Sequence, residues 1–371
     1  MSRRLLEIET LAAFDTHIRP AGRLSGWFVS SLDLTERSAA LLAVDPRGAV
    51  FLGCQFAPHV EDRLRAAGAL VFPRLPDLPF DPYRPRLYDG AELYGAGPVR
   101  RGPDAMIYAW SRSSAATVLS GALATTLHDH AISDALDDAL AHLDPRRVVG
   151  IMGGHALART DPAYGAAARL GSALSAAGRT VLTGGGPGAM EAGNLGAYLS
   201  PWPDALDEAL AMVAAVPGYK PDLDAWVASA YAVQERWPVA AAAASLSIPT
   251  WFYGHEPSNL FATGIAKYFA NALREDTLLH RCRGGIVYLP GQAGTVQEIF
   301  QAVTENFYAA DPTRIAPLVL VGVDHWTDRL PAWPLLQRLA ADRPMATAIH
   351  CVDTIAEAAD LLARPPGPGD S

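Results

Sequence analysis

The sequence predicts a doubly wound, Rossmann-like α/β fold, a parallel sheet with helices on both faces, preceded by a small N-terminal α+β module. Three observations predict it. From Arg146 onward, short apolar runs alternate with stretches of helical spacing. Two of those runs end in glycine-rich turns that open into helices, Thr183-Gly-Gly-Gly-Pro-Gly188 and Pro290-Gly-Gln-Ala-Gly-Thr295. The first 105 residues carry strand and helix candidates of their own and close on a stretch dense in proline. Alternation at this spacing implies βαβ crossovers, and crossovers imply parallel strands buried on both faces.

In the N-terminal module (1–105), WFVSSLDL (27–34), AVFLGC (49–54) and ALVF (69–72) read as strands, and ERSAALLAV and EDRLRAAG as helices. FPRLPDLPFDPYRPRLYDG cannot be a regular element, because proline removes backbone donors. The second domain spans 106–365, with its core at 145–325, and a flexible tail follows at 366–371. Helical patterns run through 113–125 and 129–143. RVVGIMGG is a buried strand, and DPAYGAAARLGSALSAAG a helix opened by Asp161-Pro162 and closed by Gly178. TVLTGGG is a strand and turn, PGAMEAGNLGAYL a helix. Further strands are expected at 210–216, 248–254, 285–291, 317–322 and 347–352. The helices between them are expected at 222–236, 258–280, 293–308, 333–342 and 354–363.

At 371 residues with 50% hydrophobic and 19% charged composition, the chain can bury a sizeable core. No run reaches the roughly 18 apolar residues of a membrane span, and Glu7, Glu9 and Asp15 interrupt any signal-peptide core. No membrane partner is expected, and the cytoplasm is the expected location. A net charge of −9 without a basic block disfavours nucleic-acid polymers. Cys54, Cys282 and Cys351 lack metal-ligand spacing, and no His/Cys/Asp/Glu cluster has it, so no metal is expected.

Glycine at a strand-to-helix junction lets a ligand approach the backbone, and the helix that follows presents unpaired N–H groups and the positive end of its dipole. A phosphate suits that geometry; a tight βα turn is the plain alternative for either loop. Gly184, Gly186 and Ala189 match a dinucleotide fingerprint only loosely and lack its downstream acid. A P-loop signature is absent. Two such loops on one sheet predict a shared cleft for a nucleotide or sugar phosphate at the carboxyl ends of the strands.

The pair GGGPGAMEAGNLGAY and PGQAGTVQE resembles the LOG (lonely guy) family, often labelled lysine decarboxylases, over about residues 145–325. The stretch EPSNLFATGIAKYFANALREDTLL…GGIVYLPGQAGTVQEIFQA resembles most its larger bacterial branch, the pyrimidine/purine nucleotide 5′-monophosphate nucleosidases, which carry an extra N-terminal domain. The resemblance implies hydrolysis of the N-glycosidic bond of nucleoside 5′-monophosphates to free base and ribose 5-phosphate, without a cofactor, by a homodimer or higher homo-oligomer. It puts the catalytic glutamate on Glu298 and the catalytic arginine on Arg274. It puts the phosphate-binding positions on Gly291, Gly294 and Thr295, and the first loop on Gly184, Gly185, Gly186, Gly188 and Met190. Gln292 and Gln297 depart from the signature, where many members have glycine and glutamate. No lysine lies in a motif suited to pyridoxal phosphate.

The residues suit that chemistry. Glycosidic cleavage builds positive charge on the sugar, which a carboxylate stabilises while orienting water. Glu298 lies one turn after Gly294, where helix N-terminal placement favours its ionised form; the plain alternative is a residue that only complements the dipole. Arg274 offers a fork of donors to phosphate or leaving base, or is an ordinary surface partner of an acid. Lys267 and Asn271 share its expected helix face. Asn259 contacts substrate or caps that helix, and His155 lies near the base or in a plain loop. His128 and His130 read as a helix start or surface pair. The reading from another class is a non-catalytic nucleotide-binding sensor or carrier on the same fold.

Overall fold

The computed structural model describes residues 6–252, 254 and 256–363, so Tyr253, within the expected strand 248–254, and the tail 366–371 lie outside the described residues. The chain forms two compact units. One holds the chain up to Leu87 with Ala109–Leu136, and the other holds Tyr88–Tyr108 with the chain from Asp137 on. Each unit therefore takes chain from both sides of residue 105.

The first unit alternates β1 (Leu6–Ile8), α1 (Leu11–Ile18), β2 (Trp27–Ser30), α2 (Ser38–Leu42), β3 (Val50–Leu52), α3 (Val60–Ala66) and β4 (Leu70–Phe72). Its four strands lie in sequence order and run parallel, so this unit is alternating α/β rather than the expected α+β, each short helix carrying the chain back to the start of the next strand. Phe14, Val29, Leu41, Phe51 and Leu64 fill its core. Thr10 starts α1 by accepting the Ala13 N–H at 3.1 Å. The described residues 73–87 form no helix or strand.

Then come α4 (Gly90–Tyr94), α5 (Pro103–Ser111), α6 (Ser114–Thr117) and α7 (Leu119–Leu140). α7 is continuous through His128-Asp129-His130, where the sequence suggested a break. His128 is a buried mid-helix residue rather than a surface one, because Ala124, His128, Ile132 and Leu136 repeat every fourth position on the buried face. Its ring stands edge-on to Phe80 at 5.3 Å, and burial lowers its pKa.

The second unit is the doubly wound α/β domain. Its elements are β5 (Val148–Met152), α8 (Pro162–Ala176), β6 (Thr180–Thr183), α9 (Ala189–Tyr198), α10 (Leu206–Ala214), α11 (Leu223–Arg236), β7 (Ser245–Ser247), β8 (Gly264–Ile265), α12 (Asn271–Arg281), β9 (Ile286–Tyr288), α13 (Ala293–Tyr308), β10 (Leu318–Val321), α14 (Ala332–Ala340), β11 (Ile349–Val352) and α15 (Ile355–Ala363). The seven strands are ordered β11-β10-β9-β5-β6-β7-β8, all parallel. α8 packs on α9 and α15, and α12 on α13. α8 and α9 meet backbone to backbone, since a Cβ on Gly196 would run into the Ala168 carbonyl and one on Gly171 into that of Gly193. Among the described residues no helix is long and apolar enough to cross a membrane.

Three expectations are corrected. The strand expected at 210–216 is instead the second half of α10, up to Ala214, because Ala209 and Val213 turn one helical face inward and Asp207 and Glu208 occupy the first turn. The strand expected at 248–254 is Ser245–Ser247. The helix expected over 258–280 begins at Asn271, since the preceding residues supply β8, which pairs with β7.

Candidate active site

The strand order reverses at β5. The chain runs outward through β6, β7 and β8, then returns to add β9 on the other edge of β5. Loops leaving adjacent strands in opposite directions open a crevice at such a point, and ligands of doubly wound sheets bind there. A cavity of 720 Å³ lies at that place, lined by Gly153–Ala156 after β5, Gly184 and Gly186 after β6, Pro249 and Thr250 after β7, and Gln292–Thr295 after β9.

The loop after β9 offers the anion site. The α13 ladder begins with Val296 N–H donating to the Gln292 carbonyl at 3.0 Å, so the amides of Ala293, Gly294 and Thr295 precede it. Gly294 faces open space and lines the cavity, as does Thr295. Gly291 is off the cavity wall, and its carbonyl accepts from His325 Nε2 at 3.1 Å.

The loop after β6 is mostly scaffold. Gly188 caps α9 with φ +73°, and a Cβ there would meet the Gly154 carbonyl at 2.5 Å. The first α9 amide, Ala189 N–H, donates to that same carbonyl at 3.2 Å. Gly185 also lies behind the wall, its carbonyl accepting Asn259 N–H at 2.8 Å and Asn259 Nδ2 at 3.1 Å. Only Gly184, Gly186 and Met190 of this loop reach the cavity. Asn259 is fully buried; besides Gly185 it donates to Asn194 Oδ1 at 3.0 Å, so it braces the loop and does not line the cavity.

Arg274 and Glu298 come together on the cavity wall, Nη1 to Oε1 at 3.4 Å, with side chains 10% and 12% exposed. Arg274 Nη2 and Nε also donate to Asn271 Oδ1, at 3.0 and 3.3 Å. Asn271 opens α12 and is buried behind the arginine rather than on the wall. Lys267 does not share the helix. It is fully buried, paired with Asp104 at 2.7 Å and Ser258 Oγ at 3.1 Å, with its ammonium 5.2 Å from the Trp251 ring centroid. The residues before α12 turn it into the core.

Glu298 is pushed up to about 7, first by burial, with Arg274 opposing and Glu275 reinforcing. The helix N-terminus does not keep it ionised: Glu298 is the sixth residue of α13, and the dipole acts within the first turn. His155 lines the cavity near Glu256, Nδ1 to Oε1 at 3.6 Å, with 63% of its side chain exposed.

Sequence reasoning missed Glu275, Glu256 and Lys220 on this wall, and saw Gln297 only as a departure from a motif. Glu275 stands one turn after Asn271 and beside Arg274, which was a signal for it. Tyr219, which the sequence offers with Tyr198 and Trp226 as core or cleft wall, lines the cavity; Lys220 beside it was not singled out, because both sit in the loop after α10, itself read as a strand. Tyr198 and Trp226 are buried core residues.

No family model and no curated protein matches the chain. Among solved structures, the X-ray structure of TM1055, a structural genomics target, is similar at 18% identity with a TM-score of 0.35, over 58% of this chain and 96% of that one. A likeness at that level carries no argument about the site.

Proposed function

We propose that the protein hydrolyses the N-glycosidic bond of nucleoside 5′-monophosphates, releasing free base and ribose 5-phosphate. The observation that carries this reading is the contact of Arg274 with Glu298 on the wall of the cavity that the α13 N-terminus opens into. The amides of Ala293, Gly294 and Thr295 would hold the 5′-phosphate, since three unpaired N–H groups and the dipole favour an anion there. Four residues of helix, about 6 Å of rise, separate Gly294 from Glu298, which would set the carboxyl beside the sugar rather than the phosphate of a nucleotide held there. Ionised, Glu298 would stabilise the cationic sugar and orient the attacking water; Arg274 would hold the carboxylate in place and offer donors to the substrate. A pKa of about 7 suits a group that takes a proton from water and releases it near neutral pH.

The test incubates purified protein with AMP, GMP, CMP, UMP, IMP and a cytokinin riboside monophosphate, and reads thermal stabilisation and product together. Base and ribose 5-phosphate released from at least one nucleotide support the reading. Stabilisation without product would replace it with a nucleotide sensor or carrier. The homo-oligomer implied by the family resemblance is read separately, by sedimentation.

A further inference from the structure

Glu275 is buried on the cavity wall, directly beside Arg274. Its Oε1 accepts from Asn271 Nδ2 at 2.7 Å and faces Arg274 Nη2 at 3.4 Å. Its Oε2 accepts from Gln297 Nε2. Gln297 is the residue before Glu298, so this one carboxylate ties α12 to the turn of α13 that carries Glu298. Arg274 is thereby shared, with Nη2 toward Glu275 and Asn271 and Nη1 toward Glu298. One guanidinium between two buried carboxyl groups cannot neutralise both.

We propose that Glu275 is a positioning residue, which fixes the Nη1 edge of Arg274 toward Glu298 and, by adding a second negative charge behind that guanidinium, sets the proton balance of the Glu298 carboxyl. Among the described residues, the titratable groups that act electrostatically with Glu298 are Arg274 and Glu275 from α12, Cys282 at its end and Tyr288 from β9. Burial raises both Cys282 and Tyr288, which leaves them neutral near pH 7. Among the described residues, Arg274 and Glu275 are then the charges that act on Glu298, and they act in opposite directions. Gln297 acquires a reason in this arrangement: its amide donates to Glu275, which a glutamate at that position would repel. The consequence for turnover rests on the nucleosidase reading; the proton balance does not.

The test titrates the Glu298 side-chain carboxyl by carbon NMR in the free, full-length protein, its resonance assigned by loss in Glu298→Gln. Wild type is expected to titrate near 7, and Glu275→Gln at least about one unit lower, tenfold in the acid equilibrium, because the raising charge is gone while the Gln amide can still meet Asn271 and keep Arg274 in place. Glu275→Ala serves as the second charge-removing variant should Gln fail to fold, and it too must lower the midpoint. Glu275→Asp keeps the charge and is expected to stay closer to wild type than either. An unchanged or raised midpoint in the charge-removing variants overturns the proposal. Because no substrate is present, a lowered midpoint alongside an inert nucleotide panel would sink the nucleosidase reading and leave the role of Glu275 standing.

Discussion

A carboxyl whose side chain is 12% exposed and whose cation is shared keeps its proton to about pH 7, against an ordinary 4.5. Two consequences follow at the scale of the residue. If the ionised form is the active one, kcat/KM for base release should rise with pH through about 7, and Glu298→Gln should lower it by about 10²- to 10⁴-fold while flattening that limb. A rate independent of pH from 5 to 9 would contradict the role given to Glu298. Stability moves the other way. The folded state holds the proton more tightly than the unfolded one, so this group favours folding below pH 4.5 and loses that contribution as pH rises through 7. Thermal unfolding should therefore show Glu298→Gln improving relative to wild type between pH 5 and pH 8, by up to roughly 3 kcal/mol. Arg274→Ala removes the lowering partner, so the Glu298 midpoint should rise further and activity should fall at every pH.

At the scale of elements, the fold depends on buried residues that do not line the cavity. Lys267 and Asp104 are both fully buried and bonded to each other, and Asp104 also accepts from Trp251 Nε1 at 2.9 Å. Lys267→Met should cost about 3–5 kcal/mol in denaturant unfolding because Asp104 is left charged and buried, whereas removing both charges together should cost less. Equal costs would show that the methylene packing, and not the charge, is what matters. The contact between α8 and α9 makes a second demand. Gly196→Val should destabilise by at least ~1–3 kcal/mol through overpacking against the Ala168 carbonyl. An exposed glycine such as Gly22, with nothing within 4 Å of its added Cβ, should tolerate alanine.

At the scale of the molecule, the reversal at β5 is what brings distant sequence into one cavity. The four central strands were legible because β5, β6, β9 and β10 are buried on both faces and read as apolar runs. β7 was not, since Ser245 and Ser247 face the core; Ser245 Oγ accepts from Asn194 Nδ2 at 2.6 Å, a partner that only the folded chain supplies. β8 is two residues long and exists by pairing with β7, so its apolar neighbours read as part of the following helix. Of the candidate site, Gly294, Thr295, Arg274 and Glu298 followed from local pattern and motif, because the loop and helix that hold them are local. Asn259 and Lys267 were misjudged because their partners, Gly185 and Asp104, are far away in sequence. Glu275 was passed over because its worth lies in Gln297, on another helix.

The most direct test of the central claim is product analysis of wild type and Glu298→Gln against the same nucleoside 5′-monophosphates, by chromatography of free base and colorimetric ribose 5-phosphate. The account predicts equimolar base and ribose 5-phosphate from wild type, and loss of both in a variant that still folds. It also predicts little release from the matching nucleoside, which lacks the phosphate that the α13 amides would hold. No release from any nucleotide, or equal release by Glu298→Gln, would contradict it.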